Sequence, residues 1–174
     1  MFRFCPACAS EKIRFEENRI FRCSGCGFTY YHNTAAAAAC IVRTGKGLLF
    51  LVRQREPGRG KLDLPGGFVD PGEGALGGLH REFNEELGLD ISPEKFKFFA
   101  SFPNTYPYKN ILYNTCDLFF FLDAPDLTEQ NIFIERSEIS SLRFIKPEKL
   151  CLEEIAFESV KKALRVYLDS VDTF

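Results

Sequence analysis

The stretch GFVDPGEGALGGLHREFNEELGL, residues 67–89, decides the fold of this chain. Its pattern predicts a helix from about Gly74 to Leu87. Glu82, Glu85 and Glu86 then stand at i, i+3 and i+4 and share one face of that helix. Because three like charges on one face repel each other, the pattern predicts a cation beside them. Mg²⁺ and Mn²⁺ take carboxylate oxygens as ligands and usually bring phosphate oxygens with them.

The same residues resemble the Nudix box. The positions that match are Gly67, Glu73, Arg81, Glu82, Phe83, Glu85, Glu86, Gly88 and Leu89. The preceding LDLPGG is also typical of Nudix hydrolases, and the resemblance extends over roughly Thr34 to Leu168. It implies an α/β fold of the Nudix type, an α/β/α sandwich with a mixed sheet between helices, and hydrolysis of a pyrophosphate bond. From the residues alone, an acidic helix face that is merely solvated is the alternative.

The resemblance also implies roles for the carboxylates. We expect Glu82 and Glu86 to bind the catalytic Mg²⁺ or Mn²⁺, and Glu85 to bind metal or position the attacking water. Glu138 fits the place of a further ligand or general base, with Glu135 as second choice, and an isolated surface glutamate is the alternative. In the family the backbone carbonyl at the position of Gly66 often binds metal. We expect Arg81 to pair with a neighbouring carboxylate.

Two CxxC pairs lie at the start of the chain, Cys5 with Cys8 and Cys23 with Cys26. Four thiolates form a closed tetrahedral zinc site, so residues 1–33 are predicted to be a zinc ribbon with a structural ion and residues 34–174 a Nudix domain. A redox CxxC pair is the alternative. The three remaining cysteines lie in apolar surroundings and are predicted to be core thiols: Cys40, Cys116 and Cys151.

Two further segments are predicted to bind the substrate. Arg53 and Arg55 precede the LDLPGG motif in a basic loop, where a guanidinium suits a phosphate; a solvated hairpin tip is the alternative. Residues 103–110 are predicted to be a stiff loop whose Tyr106 and Tyr108 stack a flat ring, or else pack the loop against the core.

The tyrosine segment bears on the branch of the family. NADH pyrophosphatases also carry a zinc ribbon, and a Ser-Gln-Pro-Trp-Pro-Phe type of motif after the box holds their nucleotide. Here Tyr106-Pro107-Tyr108 keeps the aromatic-Pro-aromatic element, whereas Pro103-Asn104 replaces Ser-Gln and the chain has no Trp. The chain resembles this branch, but the departure argues against assuming a preference for NADH.

Hydrophobic periodicity predicts the remaining elements. The segments predicted as strands are Ala35 to Ala39 with its continuation to Val42, Leu48 to Val52, Phe96 to Phe102 and Leu112 to Leu122. A final amphipathic helix is predicted from Glu148 to Ser170.

Composition limits the partners. The chain has 174 residues, 45% of them hydrophobic, and a formal net charge of -2, so it has no global attraction to nucleic acid or an anionic membrane. It lacks the apolar core of a signal peptide and any run long enough to span a membrane. We therefore expect a cytoplasmic protein with no membrane partner.

Two functions from different classes follow. The first is hydrolysis of a nucleoside diphosphate linked to X, such as NAD(H) or ADP-ribose, a small-molecule nucleotide substrate that yields monophosphates. The second is an RNA- or nucleotide-binding module, or one that acts on nucleotide-capped RNA, with a small basic patch on the ribbon formed by Lys12, Arg14, Arg19 and Arg22. The family resemblance further suggests a homodimer.

Overall fold

The computed structural model describes residues 2–109 and 111–171. Its strands are β1 Ile13–Glu16, β2 Ile20–Cys23, β3 Thr29–Tyr31, β4 Ala35–Thr44, β5 Gly47–Arg53, β6 Leu62–Asp63, β7 Gly66–Phe68, β8 Lys97–Tyr108, β9 Ile111–Asp123 and β10 Ile139–Ile145. Its α-helices are α1 Ala75–Leu87 and α2 Glu158–Val171, and short 3₁₀ turns cover Pro93–Lys95, Glu129–Asn131, Pro147–Lys149 and Leu152–Glu154.

The strands form two sheets. The first three make an antiparallel sheet in the order β1-β2-β3. The other seven form one sheet whose main order is β10-β5-β4-β9-β8, with β6 beside β5 and β7 beside β4. The pairing of β4 with β9 is parallel and the other pairings are antiparallel. The predicted mixed sheet is therefore confirmed.

Helices cover both faces of the large sheet, because side chains along a strand point alternately to its two faces. On β4, Ala38, Cys40 and Val42 belong to one core cluster, which also contains the α1 residues Leu79 and Phe83. Ile41 of the same strand belongs to a second cluster, with α2 residues such as Leu164. This arrangement is the expected α/β/α sandwich.

The alanine run in β4 is a strand, as predicted, although alanine favours helix. Its residues pair with β9 on one side and with β7 on the other. The backbones of β4 and β7 approach closely at Gly66. A Cβ on Gly66 would lie 2.1 Å from the Ala38 carbonyl oxygen, and the φ of Gly66 is +135°. Only glycine fits where β7 meets β4.

The predicted loop over residues 103–110 is wrong for the residues that the structure describes. β8 runs on to Tyr108, and both prolines keep their register with β9, Pro103 opposite Cys116 and Pro107 opposite Leu112. Proline lacks an N–H donor but is tolerated in an edge strand, and β8 lies at the edge of the sheet. Asn110 lies outside the described residues.

The final helix begins later than predicted. Residues 147–154 form two 3₁₀ turns, and α2 starts only at Glu158. The helix does not begin before residue 156 because the Ala156 N–H donates to the Leu62 carbonyl at 2.9 Å, and this hydrogen bond ties the segment to β6. The apolar residues of this predicted amphipathic segment are core: Ile155, Val160, Leu164 and Tyr167 are buried, and Phe157 and Leu168 pack against them.

Two of the predicted core thiols are also wrong. Cys40 is fully buried in the sheet, whereas Cys116 and Cys151 are exposed. Cys116 lies in the more exposed first half of β9, and Cys151 lies between the two 3₁₀ turns. Within residues 2–109 and 111–171, no helix has the length and apolar character that crossing a membrane requires.

Candidate active site and N-terminal cysteine cluster

The N-terminal cysteines converge as the sequence predicts. The Sγ atoms of Cys5, Cys8, Cys23 and Cys26 all lie within 4.8 Å of one another. The Cys5–Cys26 and Cys8–Cys23 separations are both 3.7 Å. Tetrahedral zinc with bonds of about 2.3 Å to sulfur spaces its ligands at about 3.8 Å, so the four thiols fit zinc in both geometry and chemistry.

The turns that carry these thiols follow from the sequence. Tight backbone hydrogen bonds close both knuckles, from Ala9 N–H to the Cys5 carbonyl at 2.8 Å and from Gly27 N–H to the Cys23 carbonyl at 2.9 Å. Gly27 has a φ of +79°, which favours glycine. Between the two knuckles, β1 and β2 form an antiparallel hairpin, and β3, which contains Tyr30 and Tyr31, pairs with β2.

Helix α1 carries the acidic residues of the box. It begins after Gly74 and ends at Gly88, whose φ of +64° gives a left-handed C-cap. Leu79, Phe83 and Leu87 face the core, so the acidic face points toward the loop that connects β6 to β7. The predicted helix is confirmed to within one residue at its start.

Glu86 is deeply set at the end of the acidic face of α1. The backbone N–H of Gly66 donates a hydrogen bond of 2.9 Å to its Oε2 atom. Burial nevertheless raises the pKa of Glu86 well above its ordinary value, since the low-polarity surroundings disfavour the charged form. A bound cation would stabilise the charged form of the Glu86 carboxylate and so offset the cost of its burial.

Glu82 lies one turn earlier on the same face and is also partly buried, with 16% of its side chain exposed. Burial raises the pKa of Glu82, and the neighbouring Arg81 opposes that rise. A Cβ on Gly67 would lie 2.4 Å from Glu82 Oε1. The absence of a side chain at Gly67 therefore leaves the space that the Glu82 carboxylate uses.

Arg81 organises the acidic face, as the sequence predicts. Its guanidinium donates to Glu73 at 2.9 Å, to Glu82 at 2.9 Å and to Glu85 at 3.0 Å. It also donates to the Phe68 carbonyl at 3.0 Å, which ties the helix to β7. The hydrogen bond with Glu73 raises the pKa of Arg81 and lowers that of Glu73. Glu85 itself is exposed, with 59% of its side chain accessible.

A cleft of about 470 Å³ opens beside these carboxylates. Among the residues that line it are Glu86, Gly66, Arg53, Arg55, Tyr106, Tyr108 and Glu138. The structure therefore brings most of the predicted site residues to one place. Glu82 lines the adjoining cavity of about 270 Å³ together with Glu86, while Glu85 lines neither.

The two predicted phosphate-binding arginines have different surroundings. Arg53 donates to Asp63 and to the Pro57 carbonyl at 2.7 Å each, and its guanidinium lies 4.9 Å from the Phe157 ring centroid. Arg55 is mostly exposed and donates to Glu138 at 3.0 Å. Arg55 can turn to a ligand by breaking one exposed ion pair, whereas Arg53 is held by several partners.

Glu138 reaches the cleft from the segment just before β10. Its carboxylate accepts a hydrogen bond from Arg55 and is 53% exposed. Its backbone carbonyl accepts from the Gln54 N–H at 2.8 Å, which holds this segment against the loop after β5. Glu135 lines neither of the two cavities described above, and its carboxylate accepts from the Ser137 N–H at 2.8 Å.

Sequence reasoning missed two acidic residues, Asp63 and Asp117, that line the adjoining cavity of about 270 Å³. Asp63 pairs with Arg53, and burial raises the pKa of Asp63 despite that arginine. Asp117 is 8% exposed and accepts a hydrogen bond of 2.6 Å from the Ser159 hydroxyl. The available signal was a polar residue inside an otherwise apolar strand segment, which β9 shows at both Thr115 and Asp117.

Comparison with known families decides the class of this site. The NUDIX domain model matches residues 33–167. The chain belongs to the Nudix family. The match begins where the predicted zinc ribbon ends.

The relatives of this Nudix chain include proteins named NAD-capped RNA hydrolase NudC. This chain is 33% identical over 110 residues to the NudC protein of Chromobacterium violaceum, and the match covers 63% of this chain and 40% of the relative. This chain is 28% identical over 118 residues to the NudC protein of Deinococcus radiodurans, and the match covers 66% of this chain and 41% of the relative. The chain thus spans about two fifths of the length of these curated relatives.

Solved Nudix structures share the fold. A Nudix hydrolase from Nitrosomonas europaea superposes with a TM-score of 0.73 at 24% identity, covering 97% of this chain and 92% of that one. A bifunctional NMN adenylyltransferase/ADP ribose pyrophosphatase from Francisella tularensis, complexed with AMP and a manganese ion, gives 0.60 at 16% identity, covering 80% of this chain and 42% of that one. At these identities the likeness concerns the fold alone.

Proposed function

We propose that this protein hydrolyses the pyrophosphate bond of a nucleoside diphosphate linked to X, with an NAD(H)- or ADP-ribose-like substrate, and releases two monophosphates. The observation that carries the proposal is the position of Glu82 and Glu86, two partly buried carboxylates on one helical face, beside a cleft lined with arginine and tyrosine. An acidic face that was merely solvated would not have its carboxylates placed against a cavity.

The donor set fits a hard divalent cation. Glu82, Glu86 and the Gly66 carbonyl offer oxygen ligands, which Mg²⁺ and Mn²⁺ prefer. When bound, such ions neutralise pyrophosphate oxygens and lower the pKa of a bound water. Glu85 and Glu138 are the candidates to accept the proton of that water; Glu138 faces the cleft, and Glu85 is linked to the site through Arg81.

The remaining residues hold the substrate. Arg55 gives up its exposed ion pair with Glu138 and turns its guanidinium to a phosphate, while Arg53 keeps Asp63 and the loop after β5 in place. Tyr106 and Tyr108 line the cleft where a base or nicotinamide ring would lie. Tyr106 contacts the Phe68 ring edge-on, with centroids 5.4 Å apart, so its ring is already oriented before a ligand arrives.

A substrate panel tests the proposal. Wild type and Glu86→Gln are incubated with Mg²⁺ or Mn²⁺ and NADH, NAD, ADP-ribose, FAD, diadenosine polyphosphates and nucleoside triphosphates, and the products are separated by chromatography. We expect wild type to release AMP from one or two dinucleotide-like members. Loss of a metal ligand removes several kcal/mol of transition-state stabilisation, so Glu86→Gln is expected to lose about 100- to 1,000-fold in rate.

Glu129→Gln is the matched control, since Glu129 is exposed in a 3₁₀ turn outside the cleft. It should keep the wild-type rate. Full activity in Glu86→Gln, or no cleavage of any member by wild type with either metal, would contradict the proposal.

A second function is favoured by the names of the relatives: removal of a nucleotide cap from RNA, with the ribbon as the RNA-binding module. The ribbon's basic patch is partly neutralised, because Arg22 pairs with Glu16 at 3.0 Å and Arg19 with Glu17 at 3.5 Å. Cleavage of an NAD-capped oligonucleotide that weakened with rising salt while cleavage of free NAD did not would support it. Dimer formation stays a prediction.

A further inference from the structure

Strand β9 presents a row of side chains on the sheet face that α2 covers. Tyr113, Thr115, Asp117 and Phe119 occupy alternate positions, and Phe119 packs in the cluster that contains α2. Neighbouring strands continue this face, with Asn104 of β8 opposite Thr115 and Ala37 of β4 opposite Asp117. The small Ala37 leaves room above the sheet beside the polar residues.

The hydroxyl of Thr115 has nothing to bond with. Thr115 is 3% exposed, and its Oγ1 is the one buried side-chain nitrogen or oxygen, within the described part of the chain, that lacks a hydrogen-bond partner. A buried hydroxyl without a partner destabilises the folded protein. A ligand group that reached this position would remove that penalty.

Asp117 offers a buried acceptor two positions along the same face. Ser159, in the first turn of α2, donates to its Oδ2 atom at 2.6 Å. A carboxylate accepts several hydrogen bonds through its two oxygens. Among residues 2–109 and 111–171, no lysine or arginine forms an ion pair with Asp117, so acceptor capacity remains for a donor from a ligand.

Both groups face a cavity that leads to the metal-binding carboxylates. The cavity of about 270 Å³ is lined by Thr115, Asp117, Asn104 and Tyr106, and also by Glu82 and Glu86. Two rings stand at its side, with the Tyr106 and Phe157 centroids 5.6 Å apart. A ligand whose phosphates lie at the carboxylates can therefore place a flat ring between polar groups and aromatic side chains.

We propose that Thr115 and Asp117 form a specificity site for the amino-bearing edge of a purine, in which the exocyclic amine donates to Asp117 and the Thr115 hydroxyl donates to a ring nitrogen. The inference rests on the proposed function, because it names the base of the substrate whose phosphates would lie at Glu82 and Glu86. Adenine satisfies both groups. Hypoxanthine does not, since it presents a carbonyl oxygen to the carboxylate. Its protonated ring nitrogen can only donate to the Thr115 hydroxyl, whose own hydrogen then stays without an acceptor.

The test is the binding of AMP and IMP, measured by calorimetry in Mg²⁺ buffer. Sites built to hydrogen-bond a ligand group reject analogues that lack it, here by a factor of about 10 or more in Kd for wild type. Thr115→Val removes only the hydroxyl and should lower the ratio of the two Kd values, while the Asp117 carboxylate, which still rejects the hypoxanthine carbonyl, keeps the ratio above one. Thr105→Val is the matched control, because Thr105 is exposed on β8 and should keep the wild-type ratio.

Stability separates a ligand role from a structural one. Because the Thr115 hydroxyl has no partner in the protein, Thr115→Val should unfold at the same or a higher temperature than wild type. Asp117→Asn should lose discrimination as well, since its amide can donate to the hypoxanthine carbonyl while its oxygen still accepts from Ser159; if Asp117→Asn nevertheless fails to fold, Thr115→Val decides alone. Equal binding of AMP and IMP by wild type, or an unchanged ratio in Thr115→Val, overturns the inference.

The two proposals fail in distinguishable ways. Cleavage of both NAD and its hypoxanthine analogue at equal efficiency would leave the pyrophosphatase standing and remove the base site. Discrimination between AMP and IMP without cleavage of any pyrophosphate would leave the base site standing and remove the proposed reaction.

Discussion

The two regions of this chain that we propose to bind metal differ in how much of each site the protein assembles by itself. The four ribbon thiols already lie within 4.8 Å of one another and, among the described residues, form the one such group of three or more potential ligands. The carboxylates of the cleft are instead held apart: Arg81 engages Glu82, the Gly66 N–H engages Glu86, and Arg55 engages Glu138.

The difference follows from what each region would do. A closed set of four thiolates leaves no position for a substrate, so its ion can only hold the chain together. Partly dispersed oxygen ligands leave coordination positions for water and phosphate. A structural metal site therefore has all its protein ligands close together before the ion binds, whereas a catalytic site has fewer protein ligands and leaves coordination positions for water and substrate.

The largest effect is expected from Cys23→Ser, which removes one ligand of the closed set. Structural zinc contributes about 10–16 kcal/mol of binding free energy to small zinc domains, and the ribbon has few buried apolar residues besides Ile20 and Phe21. We expect the zinc-to-protein ratio by elemental analysis to fall from about one to near zero, and the amides of β1 to β3 to lose protection from hydrogen exchange.

Cys151→Ser is the control for that experiment, because Cys151 is exposed and lies outside the cluster. The strands of the mixed sheet should keep their protection in both variants. Zinc bound at full ratio by Cys23→Ser would show that the thiols are not its ligands.

A smaller effect is expected from Arg81→Lys, which tests the open region. Lysine keeps the charge, but its single nitrogen cannot span Glu73, Glu82 and the Phe68 carbonyl, which three different guanidinium nitrogens reach. Residues that orient metal ligands typically contribute about 10- to 100-fold in metal affinity or activity, and we expect a loss of that size in Mn²⁺ affinity by titration. Arg143→Lys, at an exposed pair with Glu154, should change nothing.

The smallest effects are expected from two glycine substitutions near the box. Gly67→Ala places a Cβ against the end of the Glu82 side chain, 2.4 Å from Oε1, and should weaken Mn²⁺ binding with little loss of stability because that side chain can move. Gly77→Ala meets open space within α1 and should raise the free energy of unfolding by about 1 kcal/mol. Metal titration and chemical denaturation measure the two; equal metal affinities in both variants would contradict the assigned position of Glu82.

Local spacing explains why the box was predictable. The i, i+3, i+4 pattern of its glutamates is a property of one helix, and Arg81 needed only neighbours within reach to pair with them. The ribbon was predictable for the same reason, since each CxxC pair closes its own turn. The alanine strand was predictable despite the helix propensity of alanine, because the hairpin that follows it along the chain indicates a strand.

Features that depend on distant pairing were not predictable. Whether residues 103–108 form a loop or a strand depends on their place at the sheet edge, which no local pattern states. The delayed start of α2 depends on the hydrogen bond to Leu62. The same holds for Asp117, whose burial arises only when α2 brings Ser159 over β9.

The edge strand β8 has a further consequence, for solubility. An exposed strand edge offers unpaired donors and acceptors to which another chain can add a strand and so begin aggregation. Proline is accommodated in a strand where its nitrogen faces away from the neighbour, so Pro103 and Pro107 leave gaps in the outward row of donors while β9 remains paired on the other side. The two prolines that obscured this strand in the sequence thus also protect the protein from adding copies of itself to the sheet.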